Sequence, residues 1–296
     1  MLSKLLGVAV GLWAATTCSG TAIATSLNPD RPEDALQIFR KLLCSVEDGK
    51  AMYFVWQGKV FSRQPGESDR HLFNVQGMST RACTSLTSET GAAGFRQVTR
   101  EVMIYLDPET NALLTTWENP WTGETTTVHP VANDPVNSSP FWADTTGQRL
   151  QFQHFGDTDL LFFTVTLPLF YPNPLGGDHQ DYVGGHYHAM EMFTFAAQRS
   201  RLLASADQDI DDVAVSWSRI SPWLPWMRMG GRPGELVVHA ASTRLATWQQ
   251  VPEPLRSQVA GEFALYQNPP ALDDTRPNQT TWTNFRDYLE TLDSQP

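Results

Sequence analysis

The residues best suited to binding or chemistry lie in one short segment, Ser216–Gly231, which reads SWSRISPWLPWMRMGG. It holds three tryptophans, two prolines, two methionines and two arginines within sixteen residues. Such residues make a rigid apolar surface, whereas an arginine in a protein interior is stable only when it is paired. A second segment, Trp117–Glu124 (WENPWTGE), has the same character. We therefore expect a pocket for a small apolar or aromatic molecule, lined by Trp117, Asn119, Trp121, Trp217, Trp223, Trp226 and Arg228. Ordinary packing in the core of a large β domain explains these tryptophans equally well.

Arg219 is the first candidate for a catalytic group. It follows Trp217 within a stretch too apolar to be a solvated surface, so its guanidinium needs a carboxylate partner. Glu191 and Glu118 are the candidate partners. A structural ion pair between two strands is one interpretation. The other is a substrate clamp or an acid–base pair of an isomerase, cyclase or lyase that needs no organic cofactor.

His186 and His188 are candidate metal ligands. On a strand they share one face with Met190 and Met192, while Glu191 points to the opposite face. Two imidazoles and two thioethers on one face suit copper by ligand softness. Histidines on a surface beside methionines that fill the core are the alternative.

Composition restricts the classes of partner. The chain carries 21 basic and 32 acidic residues, a formal net charge of −11, and no basic stripe that would attract a phosphate backbone, so we expect no nucleic-acid partner. No P-loop, nucleophile elbow, dinucleotide fingerprint or CxxC motif occurs. After the first two dozen residues, no apolar run approaches the length of a membrane span.

The amino terminus has the pattern of a secretory signal peptide. Lys4 supplies a positive start, Leu5–Thr17 an apolar stretch, and Ala22-Ile23-Ala24 a small-residue cleavage site. We therefore expect residues 1–24 to be removed and the protein to be secreted or periplasmic. Cys44 and Cys83 would then be either a disulfide or two buried thiols, and their spacing does not decide between these.

The remaining chain, 25–296, is predicted to be a single β-rich domain with helices at both ends. An Asp30-Arg31-Pro32-Glu33 capping box opens a helix, and from Met52 onward the apolar period is that of strands. Helical spacing returns after Pro252 and again after Thr280. About nine or ten strands separated by turns predict an antiparallel barrel or sandwich.

Several long phrases resemble one known family. They are EVMIYLDPET, TWENPWTGE, VANDPVN, SWSRISPWLPWMRMGGRPGEL and RPNQTTWTNF. Together they resemble family 1838 of domains of unknown function, found in bacteria and fungi, over about Leu36 to Leu289. The resemblance implies one domain and no particular activity, cofactor or catalytic residue.

Overall fold

A computed structural model describes residues 26–175, 179–205 and 208–293. The predicted signal segment, 1–24, lies outside the described residues. The strands are β1 (Met52–Arg63), β2 (Arg70–Thr87), β3 (Ala93–Leu106), β4 (Thr116–Glu118), β5 (Thr125–Thr127), β6 (Val131–Asn133), β7 (Phe141–Trp142), β8 (Gln153–His154), β9 (Leu160–Pro172), β10 (His186–Gln198), β11 (Ala214–Ser221) and β12 (Glu235–Leu245). The α-helices are α1 (Pro32–Leu43), α2 (Arg199–Leu202), α3 (Leu255–Gly261) and α4 (Thr281–Asp293).

One large antiparallel sheet dominates the fold. Its strand order is β6-β3-β2-β1-β12-β11-β10-β9-β8, with β7 also paired to β3, and β4 and β5 form a separate hairpin. The protein is therefore mainly β, as predicted. The sequence left a barrel and a sandwich open, and the sheet is not closed into a barrel, because the edge strands β6 and β8 do not pair with each other. These edge strands have only three and two residues, too few for a ladder that could join the two ends of the sheet.

The sheet is nevertheless strongly curved. Strands β3 and β10 are five strand spacings apart, which would be about 24 Å in a flat sheet. Side chains from both strands line one cavity. The charge of Glu191 on β10 raises the pKa of Glu101 on β3, so the two carboxylates are near each other. The sheet must therefore curl so that its two halves face one another.

The concave face of the sheet is covered, and the convex face is covered only over its first strands. The concave face carries two apolar clusters, one around Phe73 and Trp226 and one around Phe39 and Phe95. The convex face of β1, β2 and β3 packs against α3. A cavity remains between the two concave clusters, because residues from both line it.

Helix α1 packs on the concave face, and a disulfide ties the residue after it to the sheet. Helix α1 begins at Pro32, and Arg31 takes the N-cap position in place of the predicted Asp30, with no side-chain cap. Proline at the first helical position needs no hydrogen-bond partner for its nitrogen, which favours this start. Cys44, which follows α1, forms a disulfide with Cys83 of β2, which decides between the two alternatives left open by the sequence. None of the helices in the described ranges has the length and apolar character to cross a bilayer.

Candidate functional site

The candidate site is a cavity of about 150 Å³ on the concave face of the sheet. An apolar cavity of about this size holds a molecule as large as benzene. Strands β1, β2, β3 and β6 supply one half of its wall, β10, β11 and β12 supply the other, and Thr281 and Trp282 of α4 cover one end. Aromatic side chains make up much of the wall, and several charged groups interrupt it.

Two indole rings form the aromatic part of this wall. Trp56 and Trp217 meet edge to face, with ring centroids 5.9 Å apart. Trp56 lies against Gly77, where a Cβ atom would come within 2.4 Å of the indole ring, so only glycine allows this position. The Nε1 donors of both indoles are buried and have no hydrogen-bond partner among the described residues. Each Nε1 atom is covered by protein, so an oxygen atom in the cavity reaches it only after the ring rotates.

Arg219 and Glu191 form the ion pair predicted from the sequence. The two residues are cross-strand partners on β11 and β10. Arg219 Nη1 donates to Glu191 Oε1 at 2.6 Å, and Nη2 donates to the buried Tyr187 hydroxyl at 2.6 Å. Burial acts to lower the pKa of Arg219, but the Tyr187 and Glu191 oxygens outweigh it and raise that pKa. The guanidinium therefore stays charged on the wall of the cavity.

Glu101 is a carboxylate of the site that sequence reasoning missed. It lines the cavity from β3, opposite the pair of Arg219 and Glu191. Within the described chain it forms no ion pair and no hydrogen bond, and charges act on it only at longer range. Burial first, and then the Glu191 charge, raise the pKa of Glu101 to about 7, although Arg81 and Arg219 act to lower it.

A sequence signal for Glu101 was present in the alternation of β3. Residues at even positions from Val102 onward face the convex side, so Glu101 shares the concave face with Met103 and Tyr105. A carboxylate on the same face as two buried residues is a candidate for burial itself. The alternation does not reveal that β10 and β11 lie across from it.

Tyr105 completes the polar lining. Its hydroxyl is buried and has no hydrogen-bond partner among the described residues. Burial raises the pKa of this phenol, although the positive charge of Arg219 acts to lower it. Arg219 also acts on Glu101, so the phenol, the carboxyl and the guanidinium surround one small space.

Most of the other predicted aromatic residues lie in a solid cluster beside the cavity. Trp117 and Trp226 pack edge to face at 6.0 Å, and both contact Phe73. Trp121 packs on the buried Trp223 at 5.5 Å. Of the predicted tryptophans, Trp217 lines the cavity, while these four belong to the packed core beside it.

The polar residues of the same prediction also lie outside the cavity. The buried Asn119 holds a turn, since its Oδ1 accepts from the backbone of Trp121 and its Nδ2 donates to the Met227 carbonyl at 3.1 Å. Arg228 is exposed and pairs with Glu124 at 3.3 Å. Glu118 is exposed in the small hairpin, so Arg219 pairs with Glu191 and not with Glu118.

His186 and His188 lie on the exposed convex face of β10, on the same side as Met190, as strand alternation predicts. The His186 ring stacks on Phe170, with centroids 5.0 Å apart. Among the described residues, no three or more His, Cys, Asp or Glu side chains come together as a metal site. A copper site would depend on the methionine ligands, and it stays a prediction.

The cavity thus combines three chemical properties. It is apolar enough to take up an organic ring, its lining residues include buried donors without a partner among the described residues, and it holds one carboxyl group with a pKa of about 7. These are the properties of a ligand site that could also transfer a proton.

Comparison with known proteins gives one finding. The family model described as a protein of unknown function, DUF1838, matches residues 49–289, which include β1 through most of α4 and so all the charged groups of the cavity. No curated protein matches the chain.

Proposed function

The chain belongs to the DUF1838 family of proteins of unknown function, so its activity has to be inferred from the cavity, and we propose that it binds a small apolar or aromatic molecule that carries an oxygen atom. The observation that carries this proposal is the pair of unpartnered indole donors, Trp56 and Trp217, on the wall of an aromatic cavity. A buried donor without a partner costs about 1–3 kcal/mol. A ligand oxygen that met either donor after a rotation of its ring would remove this cost, which favours a polar atom on an otherwise apolar ligand.

The size of the cavity limits the ligand. About 150 Å³ suits one six-membered ring with small substituents, and a fused polycyclic molecule would require the wall to move. Ligand sites of proteins are commonly apolar with a few converging polar groups, which is the composition of this wall.

Binding can be tested with cyclohex-2-enone, a six-carbon ring ketone. Titration calorimetry should give a dissociation constant of about 1 mM or tighter, which is within the reach of a seven-atom ligand. The Trp217→Phe variant should bind about tenfold more weakly, since it removes one hydrogen bond and part of the wall. Trp248→Phe is the matched control, because Trp248 packs on the convex face against Tyr53 and should not affect binding.

Native mass spectrometry of protein purified from its own host provides a second measurement. A copurified organic mass would identify the natural ligand. No copurified mass together with no heat of binding for the ring ketone would contradict the proposed function.

A second candidate function is that of a cofactor-independent isomerase, cyclase or lyase in the same cavity. The observation that favours it is the Glu101 carboxyl, which is half-buried, unpaired within the described chain and has a pKa of about 7. A general base works best when its pKa lies near the working pH. A carrier protein would gain nothing from such a group.

The proposal includes export of the protein. The disulfide between Cys44 and Cys83 supports it, because such bonds persist mainly in oxidising compartments. Cell fractionation, with N-terminal sequencing of the recovered protein, tests it: a mature chain that starts near Thr25 is expected, and a chain that starts at Met1 and stays in the cytoplasm would contradict it.

A further inference from the structure

We infer that Glu101 accepts a proton from a carbon atom next to the carbonyl group of a small cyclic ketone and returns it to another carbon, which moves a double bond. This inference rests on the proposed function, since the ketone must first bind in the cavity. It assigns the catalytic base to Glu101, a residue that lies outside every sequence prediction of a site, and it names the substrate class as an unsaturated ring ketone.

The assignment to Glu101 follows from the different partners of the two carboxylates that line the cavity. Glu191 Oε1 accepts a 2.6 Å hydrogen bond from the charged Arg219, so this carboxylate is already engaged by a cation. Glu101 accepts no hydrogen bond within the described chain, so its lone pairs are free for a substrate proton. Glu191 is then a positioning residue that holds Arg219.

The requirement for a carbonyl group follows from the donors around Glu101. Removal of a proton from the carbon places negative charge on the carbonyl oxygen, and that charge needs donors in a site of low polarity. Tyr105, Trp56 and Trp217 line the same wall, and their hydroxyl and Nε1 donors are unpartnered within the described chain. These donor atoms are covered by protein, so a side chain turns toward the cavity when it donates to the substrate oxygen. The nearby Arg219 adds a fixed positive charge.

The step balances without a co-reactant. The C–H bond breaks, the proton goes to a Glu101 oxygen, and the electron pair forms the carbon–carbon double bond of an enolate. Glu101 then gives the proton to the far carbon, a new C–H bond forms, and the carbonyl group is restored. The product is an isomer of the substrate, so neither an oxidant nor a reductant takes part.

The state of Glu101 fits this cycle near neutral pH. With a pKa of about 7, the carboxyl group is ionised in a large fraction of molecules and can also give the proton back. The Arg81 guanidinium, which also lines the cavity and faces Phe54 at 4.3 Å, keeps the ionised form from being isolated among apolar groups.

The test uses cyclohex-3-enone, whose isomerisation to cyclohex-2-enone is followed by ultraviolet absorbance. The wild-type protein should accelerate it, and Glu101→Gln should lose the acceleration by about a hundredfold or more. The rate should rise with pH through about 7 in the wild type and lose this dependence in Glu101→Gln. Glu101→Asp should recover part of the rate. Glu109→Gln, in an exposed turn, is the matched control and should act like the wild type.

Calorimetry with cyclohex-2-enone distinguishes failure of the proposed binding function from failure of the isomerase inference. If the ketone binds but isomerisation is not accelerated, or if Glu101→Gln retains the acceleration, the inference is overturned and the binding function stands. If neither ketone binds the folded wild-type protein, the proposed function and this inference are overturned together. Circular dichroism of each variant shows that it is folded.

Discussion

Replacing Glu101 by glutamine should change the pH dependence of the stability of the protein. The pKa of this carboxyl is about 7 in the folded protein, against an ordinary value of 4.5. Between these two values the unfolded chain has lost the proton and the folded chain still holds it. The folded state therefore binds more protons, so the free energy of unfolding falls as the pH rises.

The size of this effect follows from the two pKa values. The free energy of unfolding falls by about 1.4 kcal/mol per pH unit in this window, so the full change is about 3 kcal/mol between pH 4.5 and pH 7. The contribution of Glu101 to stability is complete below pH 4.5, is lost as the pH rises through 7, and changes no further at higher pH. Glutamine has nearly the same shape and no titrating proton, so Glu101→Gln removes this term alone.

The assay is urea unfolding of both proteins at pH values from 4.5 to 8, followed by tryptophan fluorescence. The free energy of unfolding of Glu101→Gln minus that of the wild type should rise by about 3 kcal/mol across this range, because titrations of all other groups cancel in the difference. The exposed Glu109→Gln should give a flat difference. A flat difference for Glu101→Gln as well would mean that Glu101 is solvated, and the reasoning about the cavity would be refuted.

Three further predictions concern the walls and the frame of the cavity. Gly77→Ala should lower the free energy of unfolding by about 1–3 kcal/mol and weaken ketone binding, because its Cβ would overlap the Trp56 ring. Equilibrium unfolding and calorimetry measure the two effects, and unchanged values for both would contradict the prediction. Glu191→Gln should lower the pKa of Glu101, since the Glu191 charge raises it. Nuclear magnetic resonance titration of the carboxyl groups measures this pKa, and an equal or higher value would contradict the prediction. Cys83→Ala should destabilise the protein by about 4 kcal/mol, because it removes a disulfide between two residues 39 positions apart in the sequence. Urea unfolding measures this, and a loss below about 1 kcal/mol would contradict the prediction.

Several features of the fold were predictable because they depend on neighbours along the chain. The alternation from Tyr187 to Phe195 predicted a strand and placed His186 and His188 on one face, and the structure agrees. The apolar surroundings of Arg219 predicted a carboxylate partner, and the structure provides Glu191. Whether the sheet closes into a barrel was not predictable in this way, because closure depends on whether the two edge strands meet, and they are formed by different parts of the chain.

The candidate site was predicted only in part for the same reason. A tryptophan that packs in the core and one that faces a cavity have the same sequence signature, which is why Trp226 and Trp217 were predicted to share a pocket. The structure separates them, because Trp226 is enclosed by Phe73 and Tyr105 while Trp217 faces Trp56 across the sheet. Burial alone therefore did not indicate which indole borders empty space.

The sequence by itself determined the β-rich class, the faces of the strands, the aromatic character of the interior and the need of Arg219 for a carboxylate. These properties depend on the types of neighbouring residues and on the alternation of side chains along a strand, both of which are set within a few residues. Only the tertiary structure decided that Glu101 faces Arg219, that Glu118 does not, and which indoles line the cavity. The curvature of the sheet brings β3 opposite β10 and β11, and curvature arises from strand order and packing over the whole chain.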